Sequence, residues 1–138
     1  MSDADVARAN ELCVGTFPEL IGLCFTEVSA TVVRARMPVR PELFAPNGYL
    51  HGSVVTALAE TACGFGTAAS RPQELRSRFA TIELACNFLG TAHDGWIACE
   101  ATCSHAGRTT QVWDARVWRE DDQRQIALLR LTQLLLGE

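Results

Sequence analysis

Residues 52–69 read GSVVTALAETACGFGTAA, a run of almost entirely small and apolar side chains without proline. Apolar residues recur along the run with the period of an α-helix; they are Val54, Val55, Leu58, Ala62 and Phe65. A helix with so little polar surface has to be buried, so the rest of the chain must cover it. This requirement constrains the fold more strongly than any other feature of the sequence.

The segments around this helix are rich in β-forming residues. Alternating apolar and polar positions predict one long strand before the helix, over Leu23–Val39. Four strands are predicted after it, at Ala80–Leu89, Trp96–His105, Thr110–Glu120 and Ile126–Leu136. A short amphipathic helix is predicted over Asp3–Cys13. The sequence therefore predicts one α+β domain over residues 1–138, an antiparallel sheet packed on one long helix.

The charge balance excludes several classes of partner. With 12 basic and 16 acidic residues the net charge is -4, so no basic surface for nucleic acid is expected. The longest uncharged run, Leu43–Ala59, contains one proline and two glycines and is a poor membrane span. The first thirteen residues include acids and lack the apolar core of an export signal, which predicts a cytoplasmic protein.

Six cysteines raise the question of a metal site. Cys99, Cys103 and His105 fall on one face of a predicted strand. Zinc sites usually contain a CxxC pair, which is missing here, so buried free thiols are the favoured interpretation. We predict neither a metal nor a cofactor.

One face of the long helix carries a single acid among small residues. The face is formed, at spacings of three and four, by Ser53, Thr56, Glu60, Gly64 and Thr67. Small side chains allow a ligand or another backbone to approach closely. A carboxylate in such a partly desolvated slot is a candidate catalytic group, although a solvated surface Glu60 is the alternative.

The pair His51-Gly52 lies where this helix should begin. Free backbone N–H groups and the positive end of the helix dipole make a helix N-terminus suitable for an oxyanion. Gly52 lets a ligand approach its own N–H group. For His51, both a structural hydrogen bond and a catalytic role remain open.

The segment NGYLHGSVVTALAETACGFG resembles the helix motif of PaaI-type hotdog-fold acyl-CoA thioesterases, and TIELACNFLGTA and HAGRTTQVWDARVWRED resemble the strands that follow. The resemblance covers roughly residues 20–135 and implies the hotdog fold. It assigns the carbonyl-polarising N–H to Gly52, the catalytic carboxylate to Glu60, an assisting hydroxyl to Thr81 and an orienting amide to Asn47. Two positions depart from the family pattern: Glu60 replaces the commoner Asp, and Ser53 replaces a second Gly beside the bound substrate.

The resemblance implies hydrolysis of a small aryl- or fatty-acyl-CoA without a cofactor. Glu60 would either attack the thioester carbonyl or deprotonate water. A dehydratase or hydratase relying on His51, and a non-catalytic acyl-CoA binding module, are the alternatives. Arginine is suited to the CoA phosphates; the candidates are Arg108 first, then Arg71, Arg76 and Arg78.

The spacing of Gly52 and Glu60 predicts a quaternary arrangement. Eight residues of helix separate them by about 12 Å along the axis, more than a Glu side chain can span. Two antiparallel helices related by a two-fold axis would instead bring Gly52 of one chain near Glu60 of the other. We expect a homodimer with shared active sites, and the resemblance implies that such dimers pair into a tetramer.

Overall fold

A computed structural model describes residues 3–137 of the chain. The helices are α1 (Asp3–Leu12), α2 (Phe17–Leu20) and α3 (Gly52–Ala69), with short 3-10 turns at Pro41–Leu43 and Gln73–Leu75. The strands are β1 (Cys24–Val28), β2 (Val32–Pro38), β3 (Phe79–Phe88), β4 (Trp96–Ala106), β5 (Thr110–Arg119) and β6 (Gln125–Leu135). No helix among the described residues is long and apolar enough to cross a membrane.

The six strands form one antiparallel sheet that packs against α3. Their order is β1-β2-β4-β5-β6-β3. Strand β3, which follows α3 in the chain, therefore lies at the edge of the sheet opposite β1 and next to β6. The fully buried side chains of α3 and the inner sheet face include Leu58, Cys63, Val33, Met37, Ile97, Trp113, Val117 and Leu131. This arrangement confirms the predicted α+β hotdog fold, with α3 beginning and ending at the predicted residues.

The prediction of one continuous strand over Leu23–Val39 was wrong. The chain reverses after β1, and β1 pairs with β2 in an antiparallel hairpin. The Ser29 hydroxyl donates to the Val32 carbonyl at 2.9 Å and accepts from its N–H at 3.0 Å, which satisfies the backbone at the turn. Because apolar alternation continues through this turn, the periodicity of the sequence did not reveal it.

Strand β3 is an exposed edge of the sheet. It pairs with β6 on one side and has no strand neighbour on the other among the described residues. Large apolar side chains are exposed on it or directly after it: Ile82 at 57%, Phe88 at 53% and Leu89 at 57%. A long unprotected edge with apolar side chains is a surface on which another strand can add.

We expect Gly66→Ala to destabilise the fold strongly. A Cβ at Gly66 would lie 2.2 Å from Cη2 of Trp113, a ring that is completely buried and donates to Gln111 at 2.9 Å. Forcing that ring aside should lower the free energy of unfolding by about 2–3 kcal/mol in urea titrations. Gly64→Ala is the matched control, since its Cβ would meet Phe79 at an ordinary 3.6 Å. The control should gain roughly 0.5–1 kcal/mol from helix propensity; similar losses for both variants would contradict the packing argument.

Candidate active site

A groove of about 600 Å³ opens along the first half of α3. One wall is α3 itself and the other is the inner side of β3. Its lining comprises His51, Gly52, Ser53, Thr56, Ala57, Glu60, Thr81, Leu84 and Phe88. The groove therefore brings together five of the seven site residues predicted from the sequence.

Glu60 is half-buried in this groove and is hydrogen-bonded from β3. The Thr81 hydroxyl lies 3.2 Å from Oε1 of Glu60. The same hydroxyl lies 2.9 Å from the side-chain amide of Gln133 on β6, which is fully buried. Glu60 thus accepts a hydrogen bond from β3 while its carboxylate also borders the open groove. A reacting carboxylate needs both an orienting partner and space for a substrate.

A second and larger groove of about 870 Å³ lies on the other side of Glu60. It is bounded by α1, the β1–β2 turn and the second half of α3. Apolar side chains in its lining include Leu12, Val28, Phe65 and Phe79, and basic ones are Arg8 and Arg76. Glu60 is the residue that lines both grooves, so its carboxylate stands at their junction.

The N-terminus of α3 presents a free amide to the groove. Among the described residues, the Gly52 N–H has no hydrogen-bond partner, as expected at the first position of a helix. The ring of His51 caps the helix, with Nδ1 accepting from the Ser53 N–H at 3.1 Å. This bond requires an unprotonated Nδ1, which gives His51 a structural function at the helix start.

Asn47 and Arg108, the other two predicted site residues, lie outside both grooves. Asn47 is exposed in the turn before α3, where its Oδ1 accepts from the Tyr49 N–H at 3.3 Å. Arg108 is exposed in the turn between β4 and β5. A single chain therefore does not bring either side chain to Glu60.

The remaining candidate arginines differ in environment. Arg71 is buried, and its guanidinium donates to the backbone carbonyls of Leu75, Arg78 and Leu136, so it holds the chain together instead of facing a ligand. Arg76 is exposed and lines the larger groove. Of the arginines following α3, Arg76 is thus the one next to the groove that reaches Glu60.

The thiols near Glu60 are held in their neutral form. Burial raises the pKa of Cys63, and electrostatic interactions with Cys99 and Glu60 raise it further. Burial also raises the pKa of Cys86 on β3, against a hydrogen bond with Thr56 that lowers it. Burial raises the pKa of Cys99 to about 12. These three thiols are therefore poor nucleophiles at neutral pH.

Sequence analysis missed three contributors to this site. Leu84 and Phe88 follow Thr81 along the groove-facing side of β3, and a register irregularity between Thr81 and Glu83 obscures their alternation. Gln133 was missed because it lies in an apolar strand remote in sequence from Glu60. Its polar side chain at an inward position of β6 was the available signal.

Among residues 3–137, no three His, Cys, Asp or Glu side chains are placed to hold a metal ion.

Comparison with known sequences gives one family consistently. Residues 47–126 match the model of the thioesterase superfamily. A 1,4-dihydroxy-2-naphthoyl-CoA hydrolase of Listeria monocytogenes is 31% identical over 76% of this chain and 84% of its own length. The proofreading thioesterase EntH of Cronobacter sakazakii is 28% identical over 93% of this chain and 91% of its own length.

Solved structures agree with the sequence comparisons. A variant of thioesterase PA1618 from Pseudomonas aeruginosa superposes with a TM-score of 0.86, at 27% identity, covering 95% of this chain and 93% of that one. The Escherichia coli PaaI protein superposes with a TM-score of 0.82 over 97% of this chain and 95% of its own. At 17% identity, the PaaI likeness concerns the fold alone.

Proposed function

Because the chain belongs to the thioesterase superfamily, we propose that it is an acyl-CoA thioesterase acting on small aryl- or fatty-acyl groups. Its activity as a thioester hydrolase follows from the family. The substrate class and the roles of individual residues are our proposal. Two relatives bear on the substrate: one is named for an aromatic acyl-CoA and the other as a proofreading thioesterase.

The observation that carries this proposal is the half-buried Glu60 at the junction of two grooves, hydrogen-bonded by Thr81. A thioester placed across this junction would have its carbonyl carbon next to the carboxylate. The larger, mainly apolar groove suits the acyl group. The groove at the start of α3 would then hold the thioester carbonyl and the pantetheine arm.

Hydrolysis would proceed by one of two routes from Glu60. In the first, a carboxylate oxygen attacks the carbonyl carbon, the C–S bond breaks, and water hydrolyses the resulting mixed anhydride. In the second, Glu60 removes a proton from water as the water attacks the carbonyl. In both, CoA leaves as the thiol after taking up a proton. The free Gly52 N–H of a second copy of the chain would stabilise the negative charge on the carbonyl oxygen.

The proposed site requires a second copy of the chain. Gly52 and Glu60 are the first and ninth residues of α3, which places them about 12 Å apart along the helix axis. The exposed apolar edge of β3 supports pairing with a second β3 across a two-fold axis. Since β3 forms one wall of the groove, this pairing would bring the partner's helix to the site. We therefore propose a homodimer with two shared sites, which pairs further into a tetramer.

Thiol release from a panel of aryl- and fatty-acyl-CoA substrates tests the proposed function directly. We expect hydrolysis of at least one aryl-acyl or medium-chain acyl-CoA, with kcat/KM above 10⁴ M⁻¹s⁻¹, the lower end of the range roughly typical of enzymes. Turnover of no CoA thioester, combined with hydrolysis of the same acyl groups on another carrier thiol, would overturn the CoA assignment.

The two alternatives predict different results in the same assays. A dehydratase or hydratase would interconvert enoyl- and 3-hydroxyacyl-CoA without releasing a thiol. The use of His51 Nδ1 in capping α3 argues against a histidine-dependent reaction of this kind. A non-catalytic binding module would release no thiol, and family membership argues against it.

Arg108→Ala is expected to weaken binding of the CoA nucleotide. Arg108 is exposed and forms no ion pair among the described residues, so its charge is available to a phosphate. Losing one exposed charge-assisted hydrogen bond of about 1 kcal/mol should raise KM for acyl-CoA roughly fivefold. KM for the matching acyl-pantetheine, which lacks the nucleotide, should not change.

The matched control for this prediction is Arg116→Ala. Arg116 already binds Glu100 at 3.3 Å on the outer sheet face, so its removal should leave both KM values unchanged. An equal rise of KM for both substrates in Arg108→Ala would remove Arg108 from phosphate binding.

A further inference from the structure

The hydrogen bonds of Thr81 pose a problem of proton supply. Its single hydroxyl proton faces two acceptors, Oε1 of Glu60 at 3.2 Å and Oε1 of Gln133 at 2.9 Å. A threonine hydroxyl donates once and accepts up to twice, so both bonds cannot form together in this sense. One of these two neighbours must be a donor, and an ionised carboxylate has no proton to donate.

The other end of the Gln133 amide identifies the donor. Gln133 is completely buried, and its Nε2 is a buried polar atom without a hydrogen-bond partner. An unsatisfied buried N–H donor costs roughly 1–3 kcal/mol and is rarer than an unsatisfied carbonyl. Rotating the amide by half a turn exchanges its nitrogen and oxygen without changing its shape. Nε2 then donates to Thr81 Oγ1 at the observed 2.9 Å separation, which supplies the missing proton. The buried atom without a partner becomes the amide oxygen, which is the less costly of the two to leave unpaired.

We propose that Gln133 is a positioning residue for the catalytic carboxylate, acting through Thr81. Its amide N–H donates to Thr81 Oγ1, so the one hydroxyl proton of Thr81 is committed to Glu60. The result is a one-way chain of donors from the core to the carboxylate. It holds Oε1 of Glu60 in place and leaves Oε2 for the thioester or water. This inference rests on the proposed catalytic role of Glu60.

The strand register explains why Gln133 can serve this purpose. Gln133 lies directly opposite Thr81 on β3 and opposite Gln111 on β5, so the three side chains form a row across adjacent strands. Gln111 is also buried, but its amide is used elsewhere: it accepts from Trp113 at 2.9 Å and donates to Ser70 at 2.8 Å. Only one of the two buried glutamines therefore faces the site, which provides a natural control.

Gln133→Met tests the proposal because methionine keeps the length of the side chain but has no donor. If Gln133 donates to Thr81, the variant should lose about five- to tenfold in kcat with little change in KM, since Thr81 is no longer oriented. If the amide oxygen faced Thr81 instead, the variant would free the Thr81 proton for Glu60, and kcat would stay the same or rise. That result would overturn the proposal.

Two further variants separate positioning from stability. Gln111→Met removes the neighbouring buried amide. It should lower the free energy of unfolding about as much as Gln133→Met does, but it should leave kcat unchanged. In a Thr81→Val background, Gln133→Met should have no additional effect on kcat, because the intermediate link is already missing. Equal kcat losses from the two glutamine variants, or losses that add in the Thr81→Val background, would mean that Gln133 only supports the fold.

A measurement independent of activity distinguishes failure of this inference from failure of the proposed function. In ¹⁵N-labelled protein, nuclear Overhauser contacts are expected between the Nε2 protons of Gln133 and the Thr81 side chain. Contacts of these protons only with the opposite, β5 side would overturn the amide orientation, whatever reaction the protein catalyses. Catalysis that does not need Glu60 would instead overturn the proposed function and leave the amide orientation intact.

Discussion

Glu60→Gln should reduce thioester hydrolysis by at least roughly 10²-fold while the protein remains folded. An amide can neither attack a carbonyl nor remove a proton from water at neutral pH. The substitution is nearly isosteric, and its oxygen can still accept from Thr81, which lies 3.2 Å from Oε1. Stability should therefore change little, and the loss should appear in kcat with a modest effect on KM.

The control for this variant is Glu83→Gln, which removes an exposed acid of strand β3 that lines neither groove. It should keep the kcat of the unmodified protein. Thermal unfolding of both variants checks that the fold is intact. If kcat of Glu60→Gln were within tenfold of that of the unmodified protein, at unchanged stability, Glu60 would not be the catalytic group.

The sequence was sufficient to predict the central helix and four of the strands because their patterns are local. The composition of α3 requires burial, and Gly52 and Ser70 bracket it as a first helical position and a C-cap. The β1–β2 hairpin was different, since its turn residues, Ser29 to Thr31, interrupt no periodic signal. Turn geometry there depends on one hydroxyl that satisfies the backbone of Val32, a contact that exists only after folding.

The candidate site was predictable to the extent that it lies on one helix. His51, Gly52, Ser53 and Glu60 belong to a single short motif and line one groove. Gln133 joins Glu60 only through strand pairing with Thr81, across 52 residues of sequence. Such a neighbour is set by sheet order and register, which no local pattern specifies. The same reason explains why the sequence could nominate arginines, with Arg108 first, but could not show that Arg71 is buried on backbone carbonyls.

Mixing two inactive variants is expected to restore activity if the two chains of a dimer share their active sites. Gly52→Pro removes the proposed oxyanion N–H while keeping the helix, because proline is favoured at the first helical position. His51 before it is already extended, with φ -64° and ψ 128°, as a residue preceding proline should be. The new ring would approach Phe88, whose side chain is half-exposed and able to move. Alone, Gly52→Pro and Glu60→Gln should each be nearly inactive.

Co-refolding equal amounts of the two variants should restore about one quarter of the unmodified activity. In a mixed dimer, one site receives Gly52 from the Glu60→Gln chain and Glu60 from the Gly52→Pro chain, while the other site carries both defects. Random mixing makes half of the dimers mixed, each with one working site of two. Homodimers of either variant contribute nothing, so the recovered activity should track the mixed fraction measured by native mass spectrometry. Mixed dimers without activity would mean that each site is built within one chain. Eight residues of helix at about 1.5 Å rise separate Gly52 from Glu60 by about 12 Å, and the bound substrate would then have to span that distance.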